Sequence, residues 1–111
     1  MTPRLASSVL VGALIRTAEG QSGFGAVLAK GDATAGAVAL VLAEKGAPQS
    51  FLERRLGLDG DYIWEDSGQA LDPEALSALI ARRRRADPDL WVVELDVPSV
   101  ERFVAEMKGV G

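Results

Sequence analysis

The amino-acid sequence predicts an α+β domain in which three helices pack on a mainly antiparallel five-stranded sheet. Apolar residues recur at helical spacing in some segments and form short strand-like runs in others, in the order α-β-β-β-β-α-β-α. A group of successive strands flanked by separate helices is typical of α+β folds. The chain has 111 residues, the usual size of one domain, so we expect a single domain over residues 1–111.

The first third of the chain predicts a helix and then a hairpin. Residues 5–17 carry a wide apolar stripe at helical spacing, which favours a helix buried against a sheet, although their β-branched residues leave a strand possible. Residues 24–29 and 37–44 are apolar runs joined by a glycine-containing loop, a pattern that favours a hairpin. Because both runs are almost entirely apolar, we expect two central strands that are covered on both faces.

The middle of the chain contains the clearest turn. Asp59-Gly60 separates residues 51–58 from residues 61–65, and an Asp-Gly pair between two such runs is a strong hairpin signal. Ser50 and Glu53 also match the capping box of a short helix. The hairpin is favoured because alternate leucines of the first run would face an aromatic partner strand.

The last third predicts a helix, a strand and a helix. Asp72 caps the first helix, Pro73 occupies its first turn, and Asp87-Pro88 ends it near residue 86. Residues 90–97 alternate as a strand, and a final helix runs from Pro98 to Gly109. The strand is expected to direct Trp91, Val93, Leu95 and Val97 to one face, and the apolar positions of the final helix are Val100, Phe103, Val104 and Met107.

Composition excludes several kinds of chemistry. The chain contains no cysteine and no histidine, which removes disulfides, thiolate metal sites and every nucleophile that depends on a histidine base. The glycine-rich stretches GQSGFG and KGDATAG lack the Gly-Lys-Ser/Thr of a phosphate loop. The acidic residues after Asp59 lack the glutamate that closes a calcium loop. We therefore expect neither a cofactor nor a metal.

Charge and hydropathy bear on partners and location. The net charge of −4 argues against a general nucleic-acid binder, and no apolar run approaches the roughly 20 residues of a membrane helix. The first residues mimic a secretory signal, but Arg16 interrupts their apolar run and no small-residue cleavage site follows. A cytoplasmic protein that binds neither nucleic acid nor membrane is expected.

Residues 81–91, ARRRRADPDLW, hold four of the twelve basic residues. A nucleic-acid site, an anion pocket and a helix end would each produce such a run. At about 100° per residue, Arg82 and Arg84 lie on opposite flanks of the helix and Arg85 points away from its apolar stripe. A ring of charges cannot follow one duplex backbone, whereas arginines in a last turn offset the negative end of the helix dipole. The run therefore favours a helix end.

Arg83 differs from its neighbours because it falls on the apolar stripe of this helix. A guanidinium in that position needs a carboxylate, and we predict a structural ion pair between Arg83 and Asp89. Arg82 and Arg84 remain candidates for binding an anionic ligand together with Trp91, although a tryptophan is more often a core residue than a stacking platform.

Four segments together resemble a bacterial family of small single-domain proteins of unknown function, DUF1491. They are the N-terminal helix ending in ALIR, then GFGAVLAKGDATAGAV, FLERRLGLDGDYIWE and ADPDLWVVELD. The resemblance spans nearly the whole chain and implies a compact cytoplasmic domain. It implies no activity, cofactor or catalytic residue, so no site residue follows from it.

Three functions stay open at this point. The favoured one is a non-catalytic module that binds another protein or forms a homodimer through a sheet edge or helix face. The second is a binder of a small anionic ligand near residues 82–85 and Trp91. The third is an enzyme that uses carboxylate, tyrosine or arginine chemistry, for which spacing alone shows no paired set of residues.

Overall fold

The computed structural model describes residues 5–67 and 72–107, which form three helices and one five-stranded sheet. The elements are α1 (Ser7–Gly20), β1 (Phe24–Ala29), β2 (Val38–Glu44), β3 (Ala47–Leu56), β4 (Tyr62–Asp66), α2 (Pro73–Ala86), β5 (Trp91–Asp96) and α3 (Val100–Met107). The α+β class and the order of elements are confirmed. The helix end predicted at Gly109 lies outside the described residues.

The strands lie in the order β1-β5-β2-β3-β4, and the sheet is mixed. β5 pairs antiparallel with β1 and parallel with β2, while β2–β3 and β3–β4 are antiparallel. The predicted hairpin between β1 and β2 is therefore wrong, because β5 lies between these two strands.

The loop between β1 and β2 explains this arrangement. It passes over the start of β5, where Asp32 N donates to Asp89 O at 3.0 Å and Trp91 N donates to Ala37 O at 2.8 Å. The Trp91 indole N–H also donates to Asp32 O at 2.7 Å. These hydrogen bonds pair backbone groups of the loop with groups at the start of β5. The loop therefore crosses over β5 to connect β1 with β2, and it does not form a hairpin turn.

Two tight hairpins connect β2, β3 and β4. Lys45 and Gly46 both have positive φ, 50° and 81°, as a two-residue hairpin turn of the primed type requires. The predicted turn at Asp59-Gly60 is confirmed, with Gly60 at φ 90° and Gly57 N donating to Asp61 O at 2.7 Å. Residues 47–56 form a strand, so the alternative helix from the capping box does not form.

The core has two layers, one on each face of the sheet. α1 and α3 cover one face, and α2 covers the other. β2 is buried along almost its whole length, whereas β1 is largely exposed. The prediction that both are central strands is right for β2 and wrong for β1. The main buried side chains of the first layer are Leu10, Leu14, Leu40, Leu95 and Phe103, and those of the second are Val41, Phe51, Leu76, Leu79 and Val92.

The helix starts follow local hydrogen bonding. α1 begins at Ser7, later than predicted, because the backbone of Ala6 is extended (φ −58°, ψ 145°). Ser7 N and Ser8 N donate to carbonyls of Thr34 and Ala33 in the β1–β2 loop. α2 begins as predicted, with the Asp72 carboxylate accepting from Ala75 N at 2.8 Å. Both helix N-termini therefore have partners for amides that would otherwise lack them.

Candidate functional site

The arginine run forms the last turns of α2, and its side chains have separate roles. Arg82 and Arg85 are exposed, whereas Arg83 and Arg84 are half-buried. Arg84 donates to Leu90 O at 2.8 Å and to Pro88 O, so it binds the chain that leaves the helix. The run is a helix end in this structure, with two of its four cations already engaged within the protein.

Arg83 pairs with Glu53 of β3, not with Asp89. Its Nε lies 3.1 Å from each carboxylate oxygen of Glu53, and its Nη2 lies 2.9 Å from Oε1. The predicted pair with Asp89 is wrong because that residue belongs to the turn beyond the helix, where its backbone bonds to Asp87 and Asp32. The apolar stripe of α2 instead directs Arg83 onto the sheet.

Trp91 lies on the opposite face of the sheet from α2. It is only 5% exposed and belongs to the core layer of α1 and α3. Strand alternation determines this placement, since Trp91 shares its face with Val93 while Val92 faces α2. The structure therefore does not bring the predicted ligand residues Arg82 and Arg84 together with Trp91, because α2 and the Trp91 side chain lie on opposite faces of the sheet.

A cleft of about 270 Å³ opens at the start of α1, away from the arginine run. It lies between this helix end, the β1–β2 loop and the paired strands β3 and β4. Its lining consists of Leu5, Ser7, Thr34, Ala35, Gly36, Ala37, Val38, Arg54 and Tyr62. Among the described residues of this lining, Arg54 is the one with a charged side chain, so the cleft is a candidate site for an anion.

Arg54 and Tyr62 form the polar wall of the cleft. They lie on neighbouring strands, and the Arg54 guanidinium sits 3.7 Å from the centroid of the Tyr62 ring, a cation–π contact. Arg54 Nη1 is buried and has no hydrogen-bond partner within residues 5–67 and 72–107. The sequence offers only a weak signal for this pair, since an arginine in the run ERRL reads as an ordinary strand residue.

The outer edge of β1 is the second candidate surface. β1 has the sequence FGAVLA, without a charged residue, and pairs on its inner side with β5. Phe24, Val27 and Leu28 are 57%, 45% and 48% exposed. The opposite edge strand, β4, carries Glu65 and Asp66. The two edges of the sheet therefore differ in charge and in exposed apolar surface.

Within residues 5–67 and 72–107, no three acidic side chains converge in a way that could hold a metal ion. In the same part of the chain, no helix has the length and apolar character needed to cross a membrane.

Comparison with known proteins identifies relatives over most of the chain. Residues 5–105 match the profile of a protein family described as "Protein of unknown function (DUF1491)". No curated protein matches the chain.

Solved structures agree with this match. A crystal structure of a DUF1491 family protein from Caulobacter crescentus CB15 is 33% identical, with a TM-score of 0.79 over 90% of this chain and 94% of that one. The solution structure of protein Atu0922 from A. tumefaciens is 28% identical, with a TM-score of 0.77 over 91% and 92% of the two chains. The chain therefore belongs to the DUF1491 family.

Proposed function

We propose that the protein is a cytoplasmic, non-catalytic module that associates with itself through the outer edge of β1. The observation that carries this proposal is an uncharged edge strand with three large apolar side chains in solvent. A second copy of the chain is the proposed occupant of this edge.

The backbone of β1 supports the proposal. β1 is an end strand of the sheet, so the N–H and C=O groups on its outer side have no strand partner among the described residues. Natural edge strands usually avoid pairing by carrying lysine, proline or inward-facing charges. The strand residues of β1 include none of these. The edge therefore keeps its capacity to pair with another strand.

The shape of β1 limits where a partner would bind. The pairing with β5 shifts register between Val27 and Ala29, and such a bulge bends an edge away from regular pairing. The regular part of the strand is thus Phe24 to Val27. Antiparallel pairing of two copies of this short segment satisfies twofold symmetry, which is the commonest symmetry of soluble oligomers. It would join the two sheets and cover Phe24 and Val27.

Charge placed on the two sheet edges tests the proposal. Wild-type protein at high micromolar concentration should show about twice the monomer mass of 11.7 kDa in light scattering. Val27→Lys should raise the dissociation constant about tenfold or more, because an edge lysine resists desolvation by a partner strand. Ile63→Lys is the matched control, since Ile63 is 40% exposed on the other edge strand.

Two results would overturn the proposal. One is a wild-type mass that stays near 11.7 kDa at high micromolar concentration. The other is a dimer that dissociates in Ile63→Lys and persists in Val27→Lys. Circular dichroism of both variants would show whether their fold is intact.

A further inference from the structure

We infer that the cleft beside Arg54 and Tyr62 is a binding site for a small organic monocarboxylate, with the Arg54 guanidinium as its anchoring cation. This site is separate from the β1 edge and does not depend on self-association. Three features of the cleft favour such a ligand: a buried Arg54 nitrogen without an acceptor among the described residues, a lining with little charge, and backbone amides at the start of α1 that are already hydrogen-bonded.

Arg54 differs from Arg55 and Arg83 because it has no carboxylate partner in the described part of the chain. Arg55, the next residue, pairs with Glu65 at 2.6 Å, and Arg83 pairs with Glu53 at 2.9 Å. Among the described residues, Arg54 has a contact with the Tyr62 ring and no ion pair, and its Nη1 is both buried and without an acceptor. A partly desolvated guanidinium is costly unless an anion compensates it. A ligand carboxylate in the cleft would supply that charge.

The charge and the volume of the cleft favour a small ligand with a negative charge. Arg54 is the only charged group among the described lining residues. The nearby Asp32 carboxylate accepts from Thr34 N at 3.1 Å and Ala35 N at 2.8 Å within its own loop. The volume of about 270 Å³ is below the roughly 300–1,000 Å³ of pockets for drug-sized ligands. The remaining walls are largely apolar and suit a short hydrocarbon chain. They comprise Leu5, Ala35, Ala37, Val38 and the Tyr62 ring.

The hydrogen bonding of α1 favours a carboxylate over a phosphate. Phosphate sites at helix starts use free backbone amides. Here Ser7 N and Ser8 N donate to Thr34 O and Ala33 O, and the next two amides donate to Ala6 O. The Ser7 hydroxyl likewise donates to Gly36 O. With these donors in use, a single guanidinium remains as the main anion partner, and its one positive charge matches a monocarboxylate.

Hexanoate and its neutral analogue hexanamide test the inference in solution. In a titration followed by amide chemical shifts, hexanoate should cause saturable shift changes at residues 34–38. Hexanamide and inorganic phosphate should bind with an affinity at least about tenfold lower. The Arg54 Nε–H resonance should move in the hexanoate titration. These comparisons use the wild-type chain and do not depend on the folding of any variant.

Two neighbouring arginines provide the matched variants. Arg54→Gln should lower hexanoate affinity about tenfold or more. Arg55→Gln should leave it unchanged, because adjacent strand residues face opposite sides of a sheet and Arg55 pairs there with Glu65. Hexanamide or phosphate that binds as tightly as hexanoate would overturn the inference. So would the absence of saturable shifts with hexanoate in the wild-type chain, or equal affinity in a folded Arg54→Gln variant.

Discussion

Replacing Arg83 by alanine should reduce the free energy of unfolding by about 1–2 kcal/mol, whereas Arg85→Ala should change it by less than about 0.5 kcal/mol. Arg83 makes three short contacts with Glu53, from 2.9 to 3.1 Å. The two side chains are 39% and 37% exposed, so solvent screens part of the attraction. Fully exposed pairs contribute about 0.2–1 kcal/mol. The fork geometry and the half-buried carboxylate left behind place Arg83 above that range.

The ion pair between Arg55 and Glu65, which also involves β3, provides a reference coupling energy for a double-mutant cycle on Arg83 and Glu53. Arg55 Nε lies 2.6 Å from Glu65 Oε1, and these side chains are 55% and 51% exposed. We expect a coupling energy of about 1 kcal/mol between Arg83 and Glu53, and about 0.5 kcal/mol or less between Arg55 and Glu65. Each cycle removes the partners singly and together, with glutamine in place of glutamate.

Urea denaturation followed by tryptophan fluorescence measures these energies. For a slope of about 1–1.5 kcal/mol per molar urea, Arg83→Ala should lower the midpoint by about 1 M, and Arg85→Ala should leave it nearly unchanged. Equal midpoints for the two variants would refute the reasoning, as would a coupling between Arg83 and Glu53 no larger than that of the exposed pair. Either result would mean that the fork geometry adds nothing to stability.

Two other predictions follow from the same structure. Gly31→Ala should lower the melting temperature by about 10 °C or more, because its Cβ would lie 2.1 Å from Asp89 O and the loop would have to move. Gly20→Ala is the control, because no atom lies within 4 Å of the added carbon, and it should leave the melting temperature unchanged or raise it slightly. Calorimetry that shows the same decrease in melting temperature for both variants would contradict the packing argument. Gel shifts at physiological salt should show no sub-micromolar binding to duplex or single-stranded nucleic acid, since the net charge is −4 and Arg83 and Arg84 are engaged internally. A sub-micromolar complex would contradict this.

Local patterns predict most elements but do not determine how the strands are ordered. The cap at Asp72 and the turn at Asp59-Gly60 depend on a few adjacent residues, and both form as predicted. The position of β5 depends on pairing between Val27 and Val93 and between Leu40 and Val93, which are distant in sequence. An apolar run indicates that a strand is buried, but it does not identify the strand with which it pairs.

The candidate sites were harder to predict for a related reason. Helical periodicity indicates that Arg83 faces the sheet, but its partner Glu53 comes from a strand 30 residues away. The cleft at Arg54 arises where a helix start, a loop and two strands meet. No short sequence motif predicts a cleft that is formed by separate elements of the fold. The cationic run draws attention because it is continuous, whereas Arg54 lies in the ordinary strand sequence ERRL and becomes notable only through its position beside Tyr62.

The insertion of β5 between β1 and β2 has a consequence for folding kinetics. Phe24 pairs with Asp96, so β1 has no strand to join until β5 has been synthesised. β2, β3 and β4 are linked by short turns and can pair early, because closing a short loop costs little entropy. Sheets dominated by distant pairings fold slowly, on the order of milliseconds to seconds. Until β5 has paired, the edges of β1 and β2 that face it are open. Such unpaired apolar edges make the chain prone to aggregation before folding is complete.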